Sequence, residues 1–138
     1  MKQFQTFSEK ETKNLAKKLA KNFTHGVIAL IGELGAGKTT FVQGFAKGLD
    51  VKEKIISPTF VLIRQHKIPS GSTLYHVDLY RLDGQKNIEG LGLGELWSNP
   101  KNIILIEWAD KVRSILPENT VQIEFKTLEG NKRRIIIS

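Results

Sequence analysis

The chain contains no cysteine. That excludes a disulfide framework, thiolate metal ligands and a cysteine nucleophile, and it fits a reducing compartment. Long apolar runs are also missing. The longest, Val27–Ile31 and Ile103–Ile106, are far shorter than the roughly 20 residues of a membrane-spanning helix. The opening MKQFQTFSEKETKNL has an early lysine but no apolar stretch behind it, so it does not read as a signal peptide. These absences predict a cytoplasmic chain that meets no membrane. There is no internal repeat, low-complexity tract or linker-like stretch.

What remains is an ordinary globular composition. The 138 residues are 40% hydrophobic and 25% charged, which predicts one domain over residues 1–138 with a core of its own. Basic residues number 21 against 14 acidic, a net charge of +7. Such a surplus invites a nucleic-acid reading, and its position weakens it. Residues 2–21 hold six Lys and two Glu; residues 126–138 hold Lys126, Lys132, Arg133 and Arg134 against Glu129. The middle of the chain is neutral. The two basic ends read as a solvated face or a docking surface.

Ser8-Glu9-Lys10-Glu11 has the form of a capping box. It predicts a helix over about 9–22, with Leu15, Ala16, Leu19 and Ala20 on one face and Lys10, Lys13, Lys17 and Lys21 on the other. Val27–Ile31 reads as a buried strand, Gly32–Lys38 as a glycine-rich turn and Thr39–Leu49 as a helix. Ile55–Arg64 reads as extended, bent at Pro58. Thr73–Asp78 alternates like a strand. Residues 84–98 are mixed and short-helical. Ile103–Glu107 is a second buried strand, and Ala109–Ile115 a short helix. Thr120–Lys126 and Arg133–Ile137 flank a turn at Glu129-Gly130-Asn131 and predict a hairpin. Helices alternating with buried strands, then a hairpin, predict an α/β fold with a mixed parallel and antiparallel sheet flanked by helices.

The chemistry concentrates in Gly32-Glu33-Leu34-Gly35-Ala36-Gly37-Lys38-Thr39, a match to the phosphate-loop pattern G-x-x-x-x-G-K-[ST] between a strand and a helix. Glycines let successive N–H groups face an anion, and the helix N-terminus adds its positive dipole end. Lys38 then bridges β- and γ-phosphates, and the Thr39 hydroxyl holds Mg²⁺. Such a loop needs an acidic partner at the end of a neighbouring buried strand. Glu107, after Ile103–Ile106, has that form; as Glu rather than Asp it has a longer reach.

Ser57-Pro58-Thr59-Phe60 is either a structural bend or a segment presenting a hydroxyl near the γ-phosphate or Mg²⁺. Asp78, in His76-Val77-Asp78-Leu79-Tyr80-Arg81, either caps the next segment, or orients an attacking water or reaches the metal shell. His76 shares its face, though a lone His is more often structural. Arg81 pairs with a phosphate or with Asp83. Trp108 is core or site contact. No N-K-x-D motif is present: Asn131-Lys132 runs into Arg133-Arg134, which argues against GTP. No arginine-rich lid of the small-molecule kinase type occurs mid-chain.

GELGAGKTTFVQGFAKGL, SPTF, YHVDLYRLD and ILIEW, in this order and spacing, resemble the bacterial TsaE family. The resemblance spans nearly the whole chain. It implies a single P-loop NTPase domain that binds ATP and Mg²⁺ and hydrolyses ATP to ADP slowly when alone. It implies a supporting role in tRNA threonylcarbamoyladenosine synthesis beside the TsaB–TsaD pair, which performs the transfer. tRNA is then reached through that complex, with no DNA involved. Carried over by residue, the resemblance gives Lys38 and the loop from Glu33 to Thr40 to the phosphates, and Thr39 and Glu107 to Mg²⁺. Asp78 becomes the catalytic carboxylate, Thr59 lies in a switch-like segment, and Trp108 follows the acidic strand end. The base falls near Thr6, Phe7 and Ser8 and near a late arginine, Arg133 or its neighbour Arg134. NIEGLGLGELW departs from the family pattern, which carries more acidic residues there. Three rival readings are a P-loop small-molecule kinase, a nucleotide-dependent RNA-binding module and a structural adaptor in which ATP only stabilises a docking surface.

Overall fold

The computed structural model describes residues 1–56, 63–82 and 90–138. Among these, seven strands form one sheet in the order β1-β7-β6-β2-β5-β4-β3. The strands are β1 (Lys2–Thr6), β2 (Gly26–Gly32), β3 (Ile63–Lys67), β4 (Thr73–Asp78), β5 (Asn102–Glu107), β6 (Val121–Thr127) and β7 (Arg133–Ile137). The inner strands β6, β2, β5 and β4 run parallel. The outer pairings β1–β7, β7–β6 and β4–β3 are antiparallel. The result is a single α/β domain with a mixed sheet.

The parallel centre explains the continuous apolar runs, because strands covered on both faces need apolar residues on both. All six residues of β5 are buried. One face, carrying Ile28, Leu30, Ile103 and Leu105, packs beneath helices α1 (Glu9–Lys21) and α2 (Lys38–Gly48). The other, carrying Val27, Ala29, Ile104 and Ile106, is covered by a short helix α3 (Leu93–Ser98) and a 3₁₀ segment over Ala109–Ile115.

Helix α1 starts where the sequence places it. Ser8 is extended, and its Oγ accepts from the Glu11 N–H at 3.2 Å. Glu9 and Glu11 sit in the first turn and Lys18 and Lys21 in the last, each complementing the helix dipole. Thr12, Ala16 and Ala20 are its buried residues, with Leu15 and Leu19 packed at the margin. Gly44 and Gly48, four apart and so on one face of α2, let the two backbones close on each other. A Cβ at Gly48 would lie 2.5 Å from the Lys17 carbonyl oxygen, and one at Gly44 would overlap the Lys13 backbone.

The structure departs from the sequence reading at a few places. Strand β1 was not expected. Its outward residues are polar, only Phe4 and Thr6 turn inward, and it exists by pairing with β7 across the whole chain. The extended segment expected from Ile55 is a strand only from Ile63 among the described residues; Ile55 and Ile56 are irregular. The bend at Pro58, Thr59 and the rest of Ser57–Phe60 lie outside the described residues, as do residues 83–89. The helix expected at Ala109–Ile115 is 3₁₀ and is interrupted at Val112. No helix among the described residues is long and apolar enough to cross a membrane.

Candidate functional site

The loop between β2 and α2 turns on Gly35 (φ 78°) and Gly37 (φ 105°), in the left-handed region where a side chain is penalised. Gly37 caps α2 without any side-chain hydrogen bond. The first-turn amides of α2, which have no intrahelical acceptors, therefore point into the cleft with the dipole behind them. Lys38 is only 4% exposed. Its Nζ donates to the Gly32 carbonyl and, at 3.1 Å, to the Glu33 carbonyl. It also lies 3.7 Å from the centre of the Trp108 ring, a cation–π contact. Burial pushes the Lys38 ammonium below its ordinary value, and the Glu107, Asp78, Asp110 and Glu33 carboxylates pull it partly back.

Strand β5 lies beside both the loop strand β2 and β4. Glu107 is in register with Leu30 on one side and with Asp78 on the other. The Thr39 hydroxyl donates to both Glu107 oxygens, at 2.9 and 3.0 Å. From β4, His76 Nε2 donates to Glu107 Oε2 at 2.5 Å. His76 is fully buried and Glu107 nearly so, at 3%. Asp78 Oδ1 accepts from the Tyr80 N–H at 3.0 Å, turning the chain at the strand end. The Tyr80 and Trp108 rings meet at 5.0 Å. Trp108 adopts the left-handed conformation (φ 60°), which swings its ring beneath Lys38 immediately after Glu107.

These groups line a cleft of about 360 Å³, within the range of small-ligand pockets. Of the residues expected at a site, Lys38, Thr39, Thr40, Asp78, Glu107 and Trp108 line it. Leu34, Gly35, Gly37, Ser8 and Arg133 do too. Arg133 Nη2 donates to the Gly35 carbonyl at 3.3 Å, tying the last hairpin to the loop. Its neighbour Arg134 is not in the lining. Thr6, Phe7, Glu33 and Ala36 are not in it either. Thr6 is buried against Thr12, their hydroxyls 2.7 Å apart. Phe7 is exposed beneath Lys132. Ala36 is buried. Thr59 lies outside the described residues.

In the sequence a lone His76 looks structural and neither Tyr80 nor Asn131 stands out, yet Tyr80 and Asn131 line the cleft. The His76–Glu107 contact spans 31 residues and becomes visible only once β4 and β5 are paired. Its one local signal is that His76 and Asp78 share a strand face.

The oxygens gathered here suit a hard divalent cation. The Thr39 hydroxyl and Glu107 carboxylate are both hard ligands, already in contact. Among the described residues no group of three His, Cys, Asp or Glu is placed to hold a metal. One hydroxyl and one carboxylate are oxygens of the kind a cation such as Mg²⁺ accepts, one or two from the protein and the rest from phosphate and water.

A parallel strand, a glycine loop with its lysine and hydroxyl, a helix opening on that loop and an acid ending the next strand define an α/β domain of the strand–loop–helix class. Residues 6–135 match the family model described as Threonylcarbamoyl adenosine biosynthesis protein TsaE. The chain belongs to the TsaE family. A Rickettsia typhi protein named tRNA threonylcarbamoyladenosine biosynthesis protein TsaE is 41% identical over 128 residues, 91% of this chain and 87% of the relative. The Bacillus subtilis protein of the same name is 39% identical over 133 residues, 96% of this chain and 82% of the relative. The crystal structure of Bacillus subtilis YdiB superposes with a TM-score of 0.79 at 34% identity, covering 97% of this chain and 82% of that one.

Proposed function

We propose that this chain is the ATP-binding and ATP-hydrolysing component of cytoplasmic tRNA threonylcarbamoyladenosine synthesis, supporting turnover of the TsaB–TsaD pair. The observation that carries the reading is the Thr39–Glu107 contact. It joins the hydroxyl of the G-K-T loop to the acid of the adjacent strand in one cleft, at 2.9 Å. The family membership supplies the pathway.

In this reading the amides of the loop and of the first turn of α2 bind the phosphates. Lys38 leaves the Gly32 and Glu33 carbonyls for the β- and γ-phosphate oxygens, exchanging neutral acceptors for charged ones. Arg133 and Ser8, which also line the cleft, would face the nucleoside. Thr39 and Glu107 would hold Mg²⁺, which when bound would neutralise phosphate charge. Asp78 orients the water. The water oxygen bonds to the γ-phosphorus as the bond to the bridging oxygen breaks, giving ADP, inorganic phosphate and a proton. Lys38, nearly buried, stabilises charge on the transferring group more than it would in water.

Phosphate release by the purified chain, alone and with the TsaB–TsaD pair, tests this. The expected result is slow Mg²⁺-dependent hydrolysis that the pair accelerates. No release above background in either condition contradicts it.

A further inference from the structure

The Glu107 carboxylate is gripped from two sides. Thr39 reaches it from the start of α2, and His76 from β4. His76 is in register with Leu105, two residues before Glu107, so its ring lies along the sheet face leading to the cleft. That face is otherwise apolar, with Leu74, Ile103 and Leu105 as neighbours in the core. Burying an imidazole there is unfavourable unless it is hydrogen-bonded. Among the described residues, His76 Nδ1 has no partner, while Nε2 lies 2.5 Å from Glu107. The ring's single polar bond goes to the carboxylate.

The geometry points to His76 as a positioning residue for Glu107, fixing the carboxylate of the metal- and Thr39-facing acid from behind. This rests on the function proposed above. A glutamate has one more rotatable bond than an aspartate, and so more orientations to lose. The His76 bond holds Oε2 from the sheet side, while Thr39 faces both oxygens. When the Thr39 hydroxyl turns towards a cation, Glu107 loses one of its two donors, and His76 keeps it aimed. Partners of this kind behind a metal-ligating group typically contribute about 10- to 100-fold in metal affinity.

The test is a Mg²⁺ titration of ATP binding by calorimetry, with a parallel measurement in chelator, on wild type, His76→Leu and His76→Gln. Gln places an amide N–H close to where Nε2 stands. His76→Leu is expected to raise the Mg²⁺ midpoint about tenfold, with chelator-state ATP affinity unchanged and His76→Gln restoring most of the shift. If His76→Leu does not fold, His76→Gln and His76→Asn carry the test. Gln stays near the wild-type midpoint and Asn, too short to reach, is displaced. Folded variants that all keep the wild-type midpoint overturn the inference while leaving the functional reading intact. A wild type that binds no ATP with or without Mg²⁺ overturns both.

Discussion

Asp78 and Glu107 stand side by side at the C-terminal ends of the parallel strands β4 and β5. Two carboxylates so placed repel each other, and the Lys38 ammonium feels both. Their surroundings differ. Glu107 is buried and held by Thr39 and His76. Asp78 is half-buried, with Oδ1 engaged by the Tyr80 amide. Asn at position 78 keeps that acceptor, and with it the turn. Asp78→Asn should therefore bind ATP within about twofold of wild type and lose about a hundredfold or more in phosphate release. Equal losses in both would return Asp78 to the role of a cap.

The approach of α1 to α2 makes Gly44 irreplaceable on steric grounds. Alanine is the better helix former, but its methyl group would overlap the Lys13 backbone. Overpacking costs about 1–3 kcal/mol, which outweighs a propensity gain of about 1 kcal/mol. Gly44→Ala should lower the urea midpoint. Gly94→Ala, with nothing within 4 Å of the new Cβ, should leave it unchanged or slightly higher. Similar behaviour of the two variants would show that helix packing does not need the small residue.

Lys38 should leave a mark on the pH dependence of stability. Its folded value lies below 10.5, with burial the larger cause. In the window between the two values the unfolded chain binds more protons, so stability rises with pH there. Below the folded value the full cost of burying the ammonium remains. Wild type should thus gain stability relative to Lys38→Met as pH climbs from neutral towards 10.5. Denaturant midpoints of the two proteins across that range check this, and parallel curves would contradict it.

Much of this was legible in the sequence because it is local. The Ser8 cap, the alternation of Thr73–Asp78 and the apolar run before Glu107 each announce an element within a few residues. The glycine loop is recognisable because only its residue types permit the backbone path. What escaped depends on pairing between distant segments. Strand β1 has too few inward residues to signal itself and is held by β7. His76 acquires its partner only when β4 lies beside β5. Arg133 and Arg134 look alike in sequence. Strand alternation decides between them, turning Arg133 towards Gly35 and the cleft.

If ATP binds in this cleft, Lys38 is the side chain its phosphates meet. Calorimetric titration of wild type and Lys38→Ala with ATP and Mg²⁺ tests it most directly. Replacing a charge-assisted phosphate contact should weaken binding by about a hundredfold, with the fold preserved by circular dichroism. Equal ATP affinity in the two folded proteins would show that Lys38 does not bind the phosphates.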